Sequence, residues 1–215
     1  MELPTTPYDL DDELIARTRS DHQPRVRVYP FDHVAVVIGR GGKQELELHT
    51  DKIKTDNVPL YRRQGGGCSV VLDPGNVIVS VALPLPGIGN IKTAFNAITD
   101  WMIAGLAASG VPDVEQRGVS DLAISERKIG GSCVYRTRGL LYYSTTLLCE
   151  QKMPLVDKYL QHPPREPDYR KDRPHSEFMG SLRELCGVSL NDKFVINLNS
   201  NLVNGLCLLS RMCDK

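Results

Sequence analysis

The stretch Arg62-Arg63-Gln64-Gly65-Gly66-Gly67, called here the glycine loop, lies between segments that are typical of β-strands. Three consecutive glycines cost conformational entropy, so a folded chain usually keeps them where its backbone must come very close to another group. Two arginines beside the glycines favour an anion or a ligand chain as that group. A flexible surface turn with incidental arginines is the alternative. The GxxxxGK[ST] pattern of a P-loop does not occur here.

Strand-like segments lie on both sides of the glycine loop. Upstream, Arg25 to Tyr29 alternates charged and apolar residues, and Val34 to Ile38 is a continuous, mostly β-branched run. Downstream, Cys68 to Leu72 and Val77 to Leu83 are joined by Asp73-Pro74-Gly75-Asn76. Because Pro-Gly between Asp and Asn is strong turn chemistry, we expect these two strands to form a hairpin.

The clearest helix signal runs from Ile91 to Ser109, where apolar residues recur at helical spacing. Gly110 and Pro112 end this helix. Two proline-containing stretches, Pro84 to Gly89 and His162 to Pro174, are expected to be loops. Further strands are expected at Val119 to Ile124, Lys128 to Tyr135 and Leu140 to Leu148, and short helices at Asp9 to Arg17 and Pro154 to Leu160.

The tail from Ser176 to Met212 is expected to form two helices. Alternation of apolar residues from Phe194 to Leu198 leaves a short strand open as an alternative. Mixed strands followed by helices favour an α+β fold, with a central mixed or antiparallel sheet flanked by helices.

Composition argues against several classes of partner and location. The chain has 215 residues, with 26 Lys plus Arg and 26 Asp plus Glu, so no bulk charge favours nucleic acid or a membrane as a partner. No apolar run approaches the roughly 20 residues that span a bilayer, and residues 1–10 lack the pattern of a signal peptide. The six cysteines form no CxxC pair, which disfavours structural zinc and favours a reducing, cytoplasmic location.

A carboxylate and an amine stand seven positions apart at Asp121 and Lys128. A tight turn around Ser125 to Arg127 would place them on adjacent strands, where both side chains can face one site. Lysine followed by Gly130 and Gly131 suits the binding of a carboxylate or phosphate by a compact point charge. An exposed hairpin with a surface salt bridge is the alternative.

Leu140 to Leu148 is an apolar strand with a hydroxyl-rich centre, which ordinary β-propensity also explains. In this order and spacing, the glycine loop, the block from Asp121 to Lys128 and this strand resemble the lipoate-protein ligase family, within the wider group of biotin ligases and octanoyltransferases. Val37-Ile38-Gly39-Arg40 is similar to the start of the family's VIGRxQN segment. The resemblance covers roughly Val34 to Leu160.

The resemblance implies a biotin/lipoate ligase catalytic-domain fold and a two-step reaction. Lipoate and ATP, with Mg²⁺, form lipoyl-adenylate and pyrophosphate, and the lipoyl group then passes to a lysine of a lipoyl-carrier protein. In the family pattern, Lys128 contacts the ligand carboxylate and phosphate. Asp121 holds metal and phosphate, or orients the incoming lysine. No protein nucleophile is required, because the protein mainly positions reactants and neutralises charge.

The same resemblance implies a set of residues around lipoate and lipoyl-adenylate. Arg63 and the backbone of Gly65 to Gly67 are expected to line the acyl tunnel, and Asn76 is expected to support the nucleotide end. The full set expected to bind the substrate is Arg63, Gly65, Gly66, Gly67, Asp73, Asn76, Gly130, Gly131, Ser132 and Thr145, and the expected metal ligand is Asp121.

A domain organisation also follows from the resemblance. We expect a lipoate-ligase-like catalytic domain over residues 1–175, with a small helical extension over residues 176–215 packed on it. Because the segment after residue 175 is short, we do not expect the large C-terminal accessory domain of some family members, and we expect the chain to act alone or with a separate accessory subunit. The charged cluster from Arg165 to Arg173 suits an acidic carrier surface, with a solvated linker as the alternative.

The sequence departs from the family pattern at several positions. Gly65 stands where the family has serine, and Tyr142-Tyr143-Ser144-Thr145 stands where the family has HHGT. A non-catalytic homologue that binds only a carrier protein is therefore one alternative. An octanoyl or lipoyl acyltransferase is another, because Cys133 lies close to Lys128 in the sequence and a thioester mechanism needs an activated cysteine. Biotin ligase is disfavoured because the GRGRxGRxW signature does not occur.

Overall fold

The computed structural model describes residues 2–85, 91–137 and 139–213. The predicted loop from Pro84 to Gly89 therefore lies mostly outside the described residues. The strands are β1 (Thr6–Pro7), β2 (Arg25–Pro30), β3 (Ala35–Ile38), β4 (Leu60–Arg62), β5 (Val70–Leu72), β6 (Asn76–Pro84), β7 (Val114–Arg117), β8 (Asp121–Ile124), β9 (Arg127–Thr137) and β10 (Leu140–Leu148). The helices are α1 (Asp12–Asp21), α2 (Gln44–Glu47), α3 (Thr50–Thr55), α4 (Ile91–Ala108), α5 (Met153–Tyr159), α6 (His175–Phe178), α7 (Leu182–Cys186) and α8 (Asp192–Cys213), and a 3₁₀ turn covers Asp168–Arg170.

The strands form two sheets. A six-stranded sheet has the order β2-β6-β10-β9-β8-β7, and its neighbouring strands are antiparallel. A four-stranded sheet has the order β1-β4-β3-β5, in which β4 runs parallel to β1 and β3 while β5 runs antiparallel to β3. The predicted α+β class, with sheets flanked by helices, is confirmed, although the strands divide between two sheets instead of one.

The predicted hairpin between Cys68–Leu72 and Val77–Leu83 is wrong. The turn from Asp73 to Asn76 passes the chain from one sheet to the other, because β5 pairs with β3 whereas β6 pairs with β2 and β10. Turn residues fix the local reversal of the backbone, but they do not fix which strands become hydrogen-bonded neighbours.

The main core lies between the six-stranded sheet and the helices α4 and α8. Alternate residues of β6, from Val77 to Leu83, point to this side, as the two-residue period of a strand requires. Gly105 of α4 permits close packing of the helices, since a Cβ atom there would lie 2.3 Å from Cδ2 of Leu202 in α8. Trp101 donates from Nε1 to the backbone oxygen of Leu202 at 3.2 Å and so joins the same two helices.

The tail forms three helices, α6, α7 and α8, where two were expected. The alternative of a strand from Phe194 to Leu198 is wrong, because this segment lies inside α8. Phe194 and Leu198 are buried four positions apart, while Ile196 between them is exposed, which fits a helical period. Among the described residues, no helix combines the length and the apolar character needed to cross a bilayer.

The other face of the six-stranded sheet is turned towards the four-stranded sheet. Ile78 of β6 packs there in one cluster with Val37 and Leu72. Ser80 is fully buried on the same face and donates to the carboxylate of Asp11 at 2.7 Å. This face is therefore partly apolar and partly polar where it approaches the second sheet.

Candidate functional site

A cavity of about 510 Å³ lies between the two sheets. Its walls are the glycine loop, the β8–β9 hairpin and residues 162–179, called here the 162–179 segment. Apolar side chains such as Val37, Leu72 and Ile78 line it together with eight charged residues, of which Lys128 is one. An apolar cavity into which polar and charged groups converge is the usual character of a small-molecule site.

The cavity collects many of the residues that the sequence predicts for a site. Those that line it are Arg63, Gly65, Gly67, Asp121, Lys128, Gly131 and Ser132. Those that do not contribute to its lining are Gly66, Asp73, Asn76, Gly130 and Thr145.

Lys128 and Asp121 form an ion pair at the cavity wall. Nζ of Lys128 lies 2.7 Å from Oδ1 of Asp121. The second carboxylate oxygen, Oδ2, accepts a hydrogen bond from the hydroxyl of Tyr169 at 3.0 Å. Burial raises the pKa of Tyr169, and the charge of Asp121 adds to the increase. Tyr169 therefore stays a protonated donor, and Asp121 is held between two partners.

A β-bulge puts Lys128 on the cavity side of β9. Leu122 pairs with Gly130 and Ala123 pairs with Lys128, so Ile129 is an extra residue in β9. Bulges of this kind re-aim side chains next to functional sites. Ile129 is fully buried in the main core while Lys128 lines the cavity. Gly131 completes the arrangement, because a Cβ atom there would lie only 3.0 Å from Nζ of Lys128.

Arg63 holds the glycine loop in its conformation. Its Nη2 donates to the backbone oxygens of Gly66 at 2.9 Å and Cys68 at 2.7 Å. Its Nη1 donates to the backbone oxygen of Val37 at 3.3 Å. The guanidinium is thus engaged with the backbone of the loop and of β3, and it closes the loop against the four-stranded sheet.

The three glycines of the loop meet different constraints. A Cβ atom at Gly65 would lie 2.8 Å from Sγ of Cys133, so only glycine fits without a shift. Gly67 has φ of +92°, a conformation that L side chains rarely adopt. A Cβ atom at Gly66 would meet nothing within 4 Å. Two of the three positions therefore require glycine for physical reasons.

Asp73 and Asn76 clamp the turn between the two sheets. Asp73 is fully buried and accepts hydrogen bonds from the backbone nitrogens of Gly75 at 2.7 Å and Lys152 at 2.9 Å. It also accepts from Nε2 of Gln151 at 3.1 Å, and Asn76 donates to Oε1 of Gln151 at 2.6 Å. These contacts fix the turn to the segment after β10, away from the lining of the cavity.

Asp73→Asn is expected to lower the free energy of unfolding by about 2–3 kcal/mol, because one buried donor loses its acceptor and meets an amide NH₂. Urea denaturation of both proteins would measure the difference. Asp100→Asn, at an exposed position of α4, is the matched control and should change stability by less than about 0.5 kcal/mol. Equal stability of the two variants would contradict the clamp.

Thr145 faces the helices, not the cavity. Its Oγ1 donates to the backbone oxygen of Gly131 at 3.2 Å and accepts from Oγ of Ser132 at 3.0 Å. Its neighbours Ser144 and Thr146 line the cavity instead, as the alternation of a strand requires. The hydroxyl-rich strand thus contributes to the site through the residues on either side of the predicted one.

One family model, described as the lipoyl protein ligase A/B catalytic domain, matches residues 4–199. The chain belongs to this family. The resemblance identified in the sequence is confirmed, since the match includes the glycine loop, the β8–β9 hairpin and the hydroxyl-rich strand.

Individual members of the lipoyl protein ligase family show how far the similarity extends. The chain is 28% identical over 151 residues to a protein of Mycoplasma genitalium named "Probable lipoate-protein ligase A". The aligned part covers 70% of this chain and 44% of that protein. The chain therefore spans less than half the length of this curated relative.

Two solved structures share the fold. A bipartite lipoate-protein ligase from Thermoplasma acidophilum, described with its E2 lipoyl domain, superimposes with a TM-score of 0.74 at 22% identity and covers 97% of this chain and 82% of that one. Lipoate-protein ligase A bound with ATP superimposes with a TM-score of 0.74 at 20% identity and covers 97% of this chain and 84% of that one. The lipoyl ligase fold thus extends over nearly the whole chain.

A polar network in this lipoyl ligase family member was not predicted from its sequence. Asp11 is 3% exposed and accepts hydrogen bonds from the hydroxyls of Tyr142 at 2.6 Å and Ser80 at 2.7 Å. Burial and the charge of Asp11 raise the pKa of Tyr142, which stays protonated. In the sequence, the one indication of this network was Tyr142, which stands where the family has the first histidine of HHGT. No sequence pattern around Asp11 indicated its role.

The 162–179 segment also contributes more than its sequence suggested. Arg165, Arg170 and Phe178 line the cavity, although the stretch from His162 to Pro174 was expected to be a loop or linker. Arg173 donates to the backbone oxygen of Glu126 at 3.0 Å and so ties the segment to the β8–β9 hairpin. The arginines concentrated in this stretch were the sequence feature that could have indicated a role in the site. Acidic residues in the same stretch nearly balance their charge, which favoured the interpretation as a linker.

Two thiols of the cavity stay protonated. Cys133 and Cys68 both line it. Burial raises the pKa of Cys133, although Arg63 acts in the opposite direction. Burial likewise raises the pKa of Cys68. A catalytic thiolate needs a lowered pKa, so neither thiol has the environment of an activated nucleophile.

The contacts of Asp121 bear on the metal that was predicted at this residue. Mg²⁺ is usually held by one or two carboxylates together with substrate phosphates. Both oxygens of Asp121 are engaged, one by Lys128 and one by Tyr169. A metal at Asp121 would have to displace one of these partners, so the contacts of Asp121 in this structure do not fit a metal ligand.

Proposed function

We propose that the chain activates lipoate with ATP as lipoyl-adenylate and transfers the lipoyl group to a lysine of a lipoyl-carrier protein. The observation that carries the proposal is the ammonium of Lys128 at the wall of a largely apolar cavity, paired with a buried carboxylate. Support comes from membership of the lipoyl protein ligase family and from relatives whose names specify lipoate, ATP and an E2 lipoyl domain.

Each half of the reaction balances without a protein nucleophile. First, a carboxylate oxygen of lipoate attacks the α-phosphorus of ATP, and the bond to the β-phosphate oxygen breaks to release pyrophosphate. Second, the amine of the carrier lysine attacks the acyl carbon, the bond to the AMP oxygen breaks, and one amine proton is released. In both steps negative charge develops on oxygens beside the acyl carbon or phosphorus.

Lys128 would stabilise that developing charge. A fixed cation aimed at oxygens that become negative is usually a large single contribution to catalysis. Asp121 and Tyr169 restrict the ammonium to one position, which lowers the cost of reorganisation during the reaction. Apolar residues such as Val37, Leu72 and Ile78 offer the surface against which an acyl chain would be buried.

Several further assignments belong to the same proposal. ATP would enter with Mg²⁺ as its counter-ion, and the partner would be a carrier protein, with or without a separate accessory subunit. The described cysteines, of which Cys149 is buried, are free thiols, which fits the reducing cytoplasm that we propose as the location.

Isotope exchange between pyrophosphate and ATP tests the first step. The chain should catalyse exchange at a rate that depends on added lipoate. An exchange rate that is the same with and without lipoate would overturn the proposal. A non-catalytic carrier-binding protein would give no exchange at all. Modification of a lipoyl domain, followed by mass spectrometry with and without candidate subunits, tests the second step and shows whether a partner is needed.

An acyltransferase is the second candidate, because Cys133 lines the same cavity as Lys128. Cys133→Ser separates the two mechanisms. A ligase should keep lipoate- and ATP-dependent modification of the carrier within about threefold, since the raised pKa of this thiol disfavours the thiolate. A transferase should lose transfer from an acyl-carrier donor outright. Loss of the ATP-dependent reaction in the serine variant would count against the ligase mechanism.

A further inference from the structure

Arg170 is a buried cation in the cavity wall. Its side chain is 4% exposed, and it lines the cavity from the end of the 3₁₀ turn Asp168–Arg170. The neighbouring residue Tyr169 donates to Asp121, the partner of Lys128. The same short turn therefore positions Arg170 and contacts the Lys128–Asp121 pair. Arginines are rarely buried in this way unless they are paired or bind an anion.

Protein contacts engage only part of the guanidinium. Nε donates to the backbone oxygen of Arg173 at 3.0 Å, and Nη2 lies 3.5 Å from Nδ1 of His162. The guanidinium carbon lies 4.9 Å from the centre of the Phe178 ring, which supports its flat face. Within residues 2–85, 91–137 and 139–213 we find no hydrogen bond from Nη1. Among these residues, Nη1 therefore has no protein acceptor, although Arg170 lines the cavity.

The carboxylate partner of Arg170 is shared with other groups. Its carboxylate partner, Glu166, lies 3.3 Å from Nε but also contacts Nε2 of His162 at 2.9 Å and accepts from the backbone nitrogen of Asp172 at 2.9 Å. Burial lowers the pKa of Arg170, while the negative charges of Glu166, Asp121 and Asp172 act in the opposite direction. A buried guanidinium that shares its carboxylate partner and has an unused Nη1 would be stabilised by an anion in the cavity.

We propose that Arg170 and Lys128 form a two-cation site for a polyphosphate, in which the free edge of Arg170 binds the pyrophosphate part of ATP. This inference rests on the proposed function and adds Arg170 to it. Arg170 would bind the pyrophosphate that leaves, while Lys128 would contact the phosphate that stays in the acyl-adenylate. A planar guanidinium presents donors in a fork that matches phosphate oxygens, whereas a lysine ammonium acts as a point charge. The pairing of one arginine with one lysine suits a ligand that has two phosphate groups.

Isothermal titration of the full chain with inorganic pyrophosphate tests the site without lipoate or a carrier. Arg170→Gln should weaken binding at least tenfold, and Arg170→Lys should weaken it less because the charge remains. Glu166→Gln should strengthen binding a few-fold, because it removes a competing negative charge. Arg17→Gln, in an exposed ion pair of α1, is the control and should bind like the wild type.

Thermal melts identify variants that fail to fold. Should Arg170→Gln melt early, the Glu166→Gln measurement decides: tighter binding supports the site, and unchanged binding overturns it. A folded Arg170→Gln protein with wild-type affinity for pyrophosphate also overturns it. These outcomes are separate from failure of the proposed function, which would appear as wild-type protein that binds pyrophosphate but catalyses no lipoate-dependent exchange.

Discussion

Lys128→Ala is expected to lower the rate of lipoate-dependent ATP–pyrophosphate exchange by about 10²- to 10³-fold, the usual cost of removing one preorganised group that stabilises a developing negative charge. The loss should appear mainly in kcat, because the charge on the phosphoryl oxygens increases only as the reaction proceeds. Asp121 would also be left buried without its cationic partner. Exchange rates over a range of lipoate and ATP concentrations would measure the effect.

Two control variants make this result specific. Lys158→Ala removes an amine of an exposed ion pair with Asp56, outside the cavity lining, and should leave exchange within about twofold of the wild type. Lys128→Arg keeps a positive charge in a different shape and should recover only part of the rate. Wild-type exchange by Lys128→Ala would show that the assigned lysine has no part in the chemistry.

Gly39→Ala is expected to lower the free energy of unfolding by about 3 kcal/mol and the exchange rate at least tenfold. A Cβ atom at Gly39 would lie 2.1 Å from the backbone oxygen of Gly67, and neither backbone can yield without moving the glycine loop. Arg62 bonds to the backbone oxygen of Gly39 at 3.1 Å, which resists such a movement. Urea denaturation and the exchange assay would measure the two effects.

Gly41→Ala is the matched control, two positions further along the same segment. A Cβ atom there meets nothing within 4 Å, so stability and exchange should both stay close to wild type. Gly66→Ala, inside the glycine loop itself, should be tolerated for the same reason. Equal behaviour of the Gly39 and Gly41 variants would mean that the glycine loop does not depend on its close approach to Gly39.

The parts of the site that could be predicted are those made by residues close together in the chain. The turn before Arg127 was visible in the sequence, and it brings Asp121 and Lys128 within 2.7 Å. Consecutive glycines predicted a close approach of the loop backbone to another group. The structure shows such an approach between Gly67 and the backbone at Gly39, whereas the sequence had favoured an anion or a ligand chain. In both cases a short sequence pattern contains the physical cause of the local geometry.

The parts that could not be predicted depend on pairing between distant segments. Asp11 meets Tyr142 from a position 131 residues away, and no local pattern encodes that contact. The turn at Asp73 was predicted correctly, but the pairing of the strands on either side of it was not. Which strands pair depends on the topology of the whole chain. The bulge at Ile129 shifts the strand register by one residue, which a two-residue alternation in the sequence cannot reveal.

Acid quenching of a mixture of the chain, ATP, Mg²⁺ and lipoate, followed by mass spectrometry of the small molecules, tests most directly whether a mixed anhydride is made. The wild type should yield lipoyl-AMP in an amount that approaches one equivalent of protein, and Lys128→Ala should yield almost none in the time that the wild type needs to reach this amount. Folded wild-type protein that forms no lipoyl-AMP, or a lysine variant that forms as much as the wild type, would contradict the account.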